Sequence, residues 1–206
     1  MQKLHIYLFL LLTFVTNTTF AEQPTDKILV MGDSLSAGYG IDIQQGWVSL
    51  LEKELNKTRN IQVINASVSG ETTSGGKTRL PALLSEHKPS VVILELGGND
   101  GLRGQPLKLL EKNLQIMIDA SKNSGAKVIL AGMQIPPNYG PRYSNEFKKL
   151  YSTLAEKNQS GLIIFLLEGI GGKAELMQRD GIHPTAEAQP IIMKNVLPEI
   201  KKYLQE

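Results

Sequence analysis

Five short apolar runs alternate with longer segments of helical spacing, and this alternation restricts what the 206-residue chain can fold into. Each run is apolar almost throughout, which is typical of strands that are buried on both faces of a sheet. The predicted strands are Lys27–Gly32, Ile61–Asn65, Ser90–Leu96, Lys127–Met133 and Gly161–Leu166. The predicted helices are Trp47–Asn56, Lys77–His87, Pro106–Asn123, Glu146–Asn158 and Pro190–Tyr203. Elements in this order predict one α/β domain with three layers, α/β/α, around a mostly parallel five-stranded sheet.

The first residues of the chain have the features of a secretory signal peptide. Lys3 precedes an apolar stretch from Ile6 to Val15, and a short polar segment then leads to Ala21. The apolar stretch is far shorter than the roughly 20 residues that a membrane-spanning helix needs. We therefore expect a signal peptide over residues 1–21 that is cleaved near Ala21, and one domain over residues 22–206. The mature protein is expected to be periplasmic or secreted, without stable membrane insertion.

The composition excludes several classes of function. Cysteine is absent, so the chain has no thiol nucleophile, thiolate-bound zinc, iron–sulfur cluster or lipid-modified cysteine. Its 22 basic and 20 acidic residues give a net charge of +2, and no run of like charges marks a nucleic-acid surface. Nucleophilic chemistry therefore needs a residue other than cysteine, and we expect no nucleic-acid partner.

A serine lies where the first predicted strand turns into a helix. In Gly32-Asp33-Ser34-Leu35-Ser36, the Ser34 hydroxyl is predicted to be exposed at the sheet edge, with the helix N-terminus facing developing negative charge. The G-x-S-x-G pattern of a nucleophile elbow is absent, and a serine after Gly-Asp is by itself more often a cap or turn residue. The interpretation of Ser34 as a nucleophile therefore depends on other parts of the chain.

Asp180 and His183 offer a carboxylate and an imidazole three residues apart, in the loop before the last predicted helix. A serine hydroxyl needs an adjacent base to take its proton, and the base needs a partner that fixes its tautomer. Asp-x-x-His supplies both groups, although by itself it also fits a turn that Asp180 caps. The combination with Ser34 favours the catalytic interpretation. The remaining histidine of the mature chain, His87, lies near the end of a predicted surface helix.

Two further segments, Asn65–Gly70 and Gly97–Asp100, follow the second and third predicted strands. With Gly32-Asp33-Ser34-Leu35 and Asp180-x-x-His183, they resemble the four sequence blocks of the SGNH (GDSL) hydrolases. The chain is similar in particular to the bacterial periplasmic thioesterase/lysophospholipase/arylesterase branch of that family. The segments that carry this similarity are GDSLSAGYG, LELGGNDGLRG, IPPNYGPRY and DGIHP.

The resemblance implies a flavodoxin-like SGNH hydrolase fold and a serine hydrolase that needs no cofactor or metal. It implies that Ser34 is the nucleophile, that His183 is the general base and then acid, and that Asp180 orients His183. The implied oxyanion hole consists of the Ser34 N–H, the Gly70 N–H and the side-chain amide of Asn99. A turn glycine and an Asx-turn are common alternatives for the last two residues.

Two alternative sites have weaker support. The segment Gly70–Thr78 nearly matches a phosphate-binding P-loop, but five residues instead of four separate Gly70 from Gly76. A few scattered acidic and imidazole groups are conceivable metal ligands, but only two histidines follow residue 21 and no Glu/His helical pair is present. These groups are Asp33, Asp100, Asp180 and His183. We expect neither a nucleotide nor a metal.

The predicted loop after the fourth strand has a composition that suits an acyl chain. Met133–Tyr139 contains Ile135 and Pro136 beside the crevice expected at the carboxyl ends of the strands, although these residues also fit a role in closing the core. We expect a monomer that hydrolyses acyl esters and thioesters through an acyl-enzyme, with lysophospholipid, acyl-CoA-type or aryl ester substrates. Carbohydrate O-deacetylation on the same fold and a catalytically silent extracytoplasmic binding protein are the alternatives.

Overall fold

The computed structural model describes residues 26–205, in which five strands form one sheet. The strands are β1 (Asp26–Gly32), β2 (Ile61–Asn65), β3 (Val91–Glu95), β4 (Lys127–Ala131) and β5 (Gly161–Ile163). All neighbouring strands are parallel, in the order β2-β1-β3-β4-β5. The direction of winding reverses between β1 and β3, and ligands bind in such sheets at the carboxyl ends of the two strands where this happens. In this sheet, the residues that pair at these ends are Gly32 and Glu95.

Seven α-helices surround the sheet in the described part of the chain. They are α1 (Ser34–Ala37), α2 (Trp47–Leu55), α3 (Thr73–His87), α4 (Gly98–Leu102), α5 (Leu107–Asn123), α6 (Pro141–Lys157) and α7 (Gln189–Gln205). Helices α3, α5 and α6 cover one face of the sheet, and α2 and α7 cover the other. Successive side chains of β1 alternate between the two cores, with Leu29 and Met31 on one face and Ile28 and Val30 on the other. Because both faces are covered, the middle of the sheet consists mostly of apolar strand residues.

The predicted three-layer α/β/α fold is confirmed, and the sheet is entirely rather than mostly parallel. Helix α3, however, begins at Thr73 and not at the predicted Lys77. The Thr72 side chain caps this start, and Gly76 packs so closely on Leu96 that an added Cβ would lie 2.3 Å from it. The adjacent glycines Gly75 and Gly76 suggest a loop, but Gly76 lies within α3 and allows the helix to pack closely on the sheet. The near match to a P-loop is therefore mostly helix.

The last strand ends at Ile163, whereas the sequence predicts a strand up to Leu166. Beyond Ile163 the backbone passes so close to Gly132 that an added Cβ there would lie 2.3 Å from the Ile164 carbonyl oxygen. Ile164 is 76% exposed, so the apolar run does not continue as a buried strand. The residues after it are then available to form part of a cavity wall.

Helix α6 begins at Pro141, five residues before the predicted Glu146, because proline is well suited to the first turn of a helix. The periodicity predicts neither α1 nor α4, since each has at most five residues and shows no helical repeat. Helix α4 lies in the connection between β3 and α5. These two short helices carry residues of the candidate site.

The predicted signal peptide lies outside the described residues and stays a prediction. Within residues 26–205, no helix has both the length and the hydropathy that crossing a bilayer requires.

Candidate active site

Ser34 lies on a tight turn between β1 and α1. The strand ends at Gly32, the Asp33 side chain caps α1 by accepting the N–H of Leu35 at 3.1 Å, and Ser34 is the first helical residue. Glycine is needed at position 32, because an added Cβ would lie 2.5 Å from Oε2 of Glu95. The structure therefore places the Ser34 side chain at the carboxyl end of β1 and at the start of a helical turn.

Asp180 and His183 lie on the irregular segment between β5 and α7. Oδ1 of Asp180 accepts the N–H of Ile182 at 2.9 Å and that of His183 at 3.0 Å. Oδ2 of Asp180 is 2.7 Å from Nδ1 of His183, and Nε2 of His183 is 2.8 Å from Oγ of Ser34. The structure thus brings together the three side chains predicted as nucleophile, base and orienting residue in one hydrogen-bonded chain.

The hydrogen bonds of Asp180 determine which ring nitrogen of His183 carries the proton. Hydrogen bonds lower the pKa of Asp180 to about 2. The largest effect comes from the backbone N–H of His183, followed by the His183 ring and then by the N–H of Ile182. An ionised carboxylate can only accept hydrogen bonds, so Nδ1 of His183 is the donor to Asp180. In the neutral ring Nε2 is then the acceptor for the Ser34 hydroxyl. This protonation state allows His183 to take the proton of Ser34 as the serine attacks a carbonyl carbon.

Asn99 lies on α4, which follows β3, whereas Ser34 follows the neighbouring strand β1. Gly97 precedes this helix with a φ of 117°, a conformation that favours glycine, and Asn99 then borders the same cavity as Ser34. Nδ2 of Asn99 donates a hydrogen bond to Oδ2 of Asp33 at 3.0 Å. An amide carries two hydrogens, and the second can meet a substrate oxygen. Asp33 therefore fixes the orientation of the amide that the sequence predicts as an oxyanion donor.

Gly70 lies on the loop between β2 and α3, which runs beside the nucleophile turn. Val68 of this loop donates its N–H to the Gly32 carbonyl at 3.0 Å, and Arg103 donates to the Gly70 carbonyl at 3.3 Å. Gly70 has a φ of 78°, and an added Cβ would meet no atom within 4 Å. The backbone conformation, not a lack of space, therefore explains the glycine. Its N–H as an oxyanion donor stays a prediction.

Two buried carboxyl groups, Asp33 and Glu95, lie beneath the nucleophile turn. Oε2 of Glu95 accepts the Asp33 N–H at 3.1 Å and the Ser36 hydroxyl at 2.5 Å, while its Oε1 has no partner among the described residues. Burial raises the pKa of Glu95 well above its usual value, and the charge of Asp33 raises it further. Burial also raises the pKa of Asp33 to about 6, against hydrogen bonds from Leu35 and Asn99 that lower it. A pKa of about 6 favours an ionised Asp33 at neutral pH, whereas burial favours the neutral form of Glu95.

The sequence analysis missed Glu95, although one signal was present. A glutamate near the end of the otherwise apolar run SVVILEL is unusual, because carboxyl groups are rarely buried completely. The pairing that brings Glu95 opposite Gly32 exists only in the folded sheet, so the run alone does not reveal the contact.

We expect Glu95→Gln to become more stable relative to the wild type as the pH rises from about 5 to about 8. The pKa of Glu95 is higher in the folded than in the unfolded chain, so its contribution to stability is complete below the unfolded value and declines as the pH rises toward the folded value. Glutamine cannot release a proton and lacks this decline, which is at most about 1.4 kcal/mol per pH unit.

Urea unfolding of both proteins across this pH range measures the difference in unfolding free energy. Glu111→Gln, at an exposed position of α5, is the matched control and is expected to show no such trend. If wild type and Glu95→Gln have the same pH dependence, Glu95 is not held neutral in the folded chain.

A cavity of about 480 Å³ opens beside Ser34 and His183. Its wall includes Ile135 and Pro136, the two predicted substrate-binding residues, and is mostly apolar. A second group of lining residues comes from the segment after β5, the first part of which the sequence predicts as strand. These residues are Phe165, Leu166, Leu167, Gly171, Gly172, Met177 and Ile182. Apolar walls around a few convergent polar groups are typical of small-molecule sites.

Among residues 26–205, no three carboxylate or imidazole side chains converge as a metal site would require. Of the conceivable ligands, Asp100 instead accepts the hydroxyl of Thr73 at 2.6 Å and its N–H at 2.9 Å. These bonds tie the start of α3 to α4, the helix that carries Asn99.

Several known proteins are similar to this chain. A family model described as the GDSL-like Lipase/Acylhydrolase family matches residues 30–190. The chain is 51% identical over 184 residues to esterase TesA of Pseudomonas aeruginosa, a match that covers 89% of this chain and 92% of that protein. It is 42% identical over 180 residues to thioesterase 1/protease 1/lysophospholipase L1 of Escherichia coli K12, covering 87% and 85%. The crystal structure of the psychrotrophic esterase EstA from Pseudoalteromonas sp., inhibited by monoethylphosphonate, matches with a TM-score of 0.82, 43% identity and coverage of 88% and 100%.

Proposed function

This chain belongs to the GDSL-like lipase/acylhydrolase family and is an esterase, and on that premise we propose that it hydrolyses acyl esters and thioesters through an acyl-enzyme on Ser34. The observation that carries the proposal is the chain of hydrogen bonds from Asp180 through His183 to Ser34, beside an apolar cavity. Each of the three groups has the partner that its role requires.

In the acylation step, Oγ of Ser34 attacks the carbonyl carbon of the substrate while Nε2 of His183 takes the hydroxyl proton. Asp180 stabilises the imidazolium that forms. The negative charge on the former carbonyl oxygen is stabilised by the Ser34 N–H, the Asn99 amide and the Gly70 N–H. When the tetrahedral intermediate collapses, the bond to the leaving oxygen or sulfur breaks, and His183 returns the proton to the alcohol or thiol.

Deacylation repeats these steps with water as the nucleophile. His183 takes a proton from the water as it attacks the acyl carbon of the ester on Ser34. Collapse of the second intermediate releases the carboxylic acid, and the proton on His183 returns to Oγ of Ser34. The cycle consumes one water per substrate and needs no cofactor.

The proposed substrates are medium-to-long acyl esters, among them lysophospholipids and aryl esters with such a chain, and the corresponding acyl thioesters. The support is the apolar wall that Ile135 and Pro136 form with Phe165 and Leu167, together with the names thioesterase and lysophospholipase that one relative bears. Each methylene that leaves water is worth about 0.8 kcal/mol, or about fourfold in kcat/KM if the contact persists in the transition state.

A p-nitrophenyl ester series from acetyl to palmitoyl, assayed below micelle formation, tests the substrate class. We expect kcat/KM of the wild type to rise with chain length until the cavity is filled. Ile135→Ala is expected to lower kcat/KM for the longer esters by about 4- to 15-fold, the value of one or two methylene contacts, and to change the acetyl ester little. Ile116→Ala, an exposed apolar position on α5, is the control and should leave the series unchanged.

Because Ile135 is buried, rates are normalised to active sites titrated with a serine-reactive phosphonate. If the acetyl ester is the best substrate and Ile135→Ala does not alter the chain-length preference, the lipid assignment is wrong and carbohydrate O-deacetylation is favoured.

We also propose that the protein acts outside the cytoplasm, in the periplasm or after secretion, as a product of signal-peptide cleavage near Ala21. The support is the charge and hydropathy pattern of residues 1–21.

A further inference from the structure

The proposed base and nucleophile lie on parts of the chain that are 149 residues apart. Ser34 is attached to β1, the second strand in the sheet order, whereas His183 lies on a long irregular segment after β5. A segment of this kind does not fix the position of a side chain to within a fraction of an ångström unless other contacts hold it. The 2.8 Å contact between Nε2 and Oγ therefore needs a connection between the two parts.

The half-buried side chain of Gln178 forms such a connection. Its backbone N–H donates to the His183 carbonyl at 2.7 Å, which closes the turn that contains Asp180 and His183. Its side-chain Nε2 donates to the Pro184 carbonyl at 3.0 Å and to the Tyr39 carbonyl at 2.8 Å. An amide group has two hydrogens, so each carbonyl can receive one. One side chain thus joins both ends of the histidine loop to the segment that follows α1.

Tyr39 contacts the catalytic loop a second time. Its ring centroid is 4.4 Å from that of His183, with an angle of 37° between the ring planes. The next residue, Gly40, has a φ of 74°, and an added Cβ would lie 2.4 Å from Oε1 of Gln178. The glycine therefore allows the Gln178 amide to approach the backbone beside Tyr39. Two independent contacts, one polar and one aromatic, hold His183 against the segment that carries Ser34.

We propose that Gln178 is a positioning residue that, by joining the Tyr39 carbonyl to the histidine loop, holds Nε2 of His183 at hydrogen-bond distance from Oγ of Ser34. This inference rests on the proposed function. Gln178 is not among the residues that line the cavity in the described part of the chain, so it acts on the proton transfer and not on substrate binding.

Gln178→Glu tests the proposal with almost no change of shape. The substitution replaces the NH₂ group, which faces two carbonyl oxygens, by a charged oxygen that repels both. A displacement of catalytic groups by about 1 Å can cost on the order of 100-fold, so we expect kcat to fall by about 10- to 100-fold with little change in KM. The rate at which a phosphonate labels Ser34 should fall in parallel, because labelling uses the same base.

Gln62→Glu, at an exposed position on β2, makes the same change of charge and is expected to keep wild-type kcat. Gln178→Ala removes both side-chain bonds without adding charge and should also lower kcat, so it serves as the test if the glutamate variant does not fold. Two measurements distinguish a positioning role of Gln178 from a role in stability. They are the urea unfolding midpoint and kcat per labelled serine. A purely structural Gln178 would lower the midpoint and leave kcat per labelled serine unchanged, which would overturn the proposal.

If the proposed function is wrong, the results differ from those expected when only the role of Gln178 is wrong. If Ser34→Ala retains esterase activity, the acyl-enzyme on Ser34 is wrong, and the role of Gln178 is wrong with it. If hydrolysis depends on Ser34 but both Gln178 variants keep kcat and the labelling rate, only the positioning role is wrong.

Discussion

Ser34→Ala is expected to lower kcat by about 10⁴-fold or more while the fold stays intact. The change removes one hydroxyl from a half-buried side chain whose Oγ contacts His183, so the two cores of the sheet are not affected. Ester hydrolysis by the purified protein measures the loss, and urea unfolding checks the fold. A serine-reactive phosphonate should label the wild type but not the variant. Activity of Ser34→Ala close to that of the wild type would exclude the acyl-enzyme.

His183→Ala is expected to cause a loss of similar size, because base and nucleophile act as one unit. For the same reason, the double variant Ser34→Ala/His183→Ala should be scarcely less active than either single variant. A wild type that is neither labelled nor active on any ester would favour the catalytically silent binding protein.

His87→Ala is the matched control for the histidine substitution. His87 is the last residue of α3, a helix whose first residue, Thr73, binds Asp100 close to the site. Because the helix runs back along the sheet, His87 lies at the opposite end, before β3 begins. Its side chain is 26% exposed, and its Nε2 lies 3.8 Å from the Glu86 carboxylate. The His87 variant should keep full turnover, and a loss equal to that of His183→Ala would show that the base is assigned wrongly.

The order and type of the main elements follow from the sequence because buried parallel strands leave a strong local signal. The run Ile61–Asn65 contains three β-branched residues, and the structure has this strand at the predicted bounds. At two places where the predicted bounds are wrong, the structure has a close contact between distant residues. Gly76 lies within α3 against Leu96, and the last strand stops where the backbone passes Gly132. Neither contact can be read from the neighbouring residues.

The residues of the candidate site also divide into those that the sequence predicts and those that only the fold reveals. Asp180 and His183 are three residues apart, so their contact is predictable from a turn, and Ser34 is indicated by its place at the end of the first predicted strand. The roles of Gly70 and Asn99 come from the resemblance to a family. Glu95 and Gln178 carry no local motif. What each of them does becomes visible only through its partners, which are 62 residues away for Glu95 and Asp33 and 139 residues away for Gln178 and Tyr39. The residues that react are therefore easier to find in a sequence than the residues that hold them in place.

Asn99→Ala is expected to lower kcat by about 10²- to 10³-fold, the usual cost of losing one preorganised oxyanion donor. The amide is held by Asp33 at 3.0 Å before substrate binds, so its second hydrogen needs no reorganisation when the charge develops. Because that charge exists in the transition state and not in the bound ester, KM should change much less than kcat. Steady-state kinetics on one p-nitrophenyl ester measures both constants, with Asn145→Ala, at an exposed position on α6, as the control.

The assay pH decides whether this experiment isolates the oxyanion effect. The hydrogen bond from Asn99 is one of the contacts that lower the pKa of Asp33, which burial raises to about 6. Asn99→Ala removes that contact and therefore raises the pKa of Asp33 further, so a measurement near pH 6 would combine two effects. At about pH 8.5 the wild-type carboxylate is ionised, and a loss of kcat that persists from about pH 7.5 to 9 belongs to the missing donor. If kcat of the variant returns to the wild-type value as the pH rises, Asn99 acts only through the ionisation of Asp33 and is not an oxyanion donor.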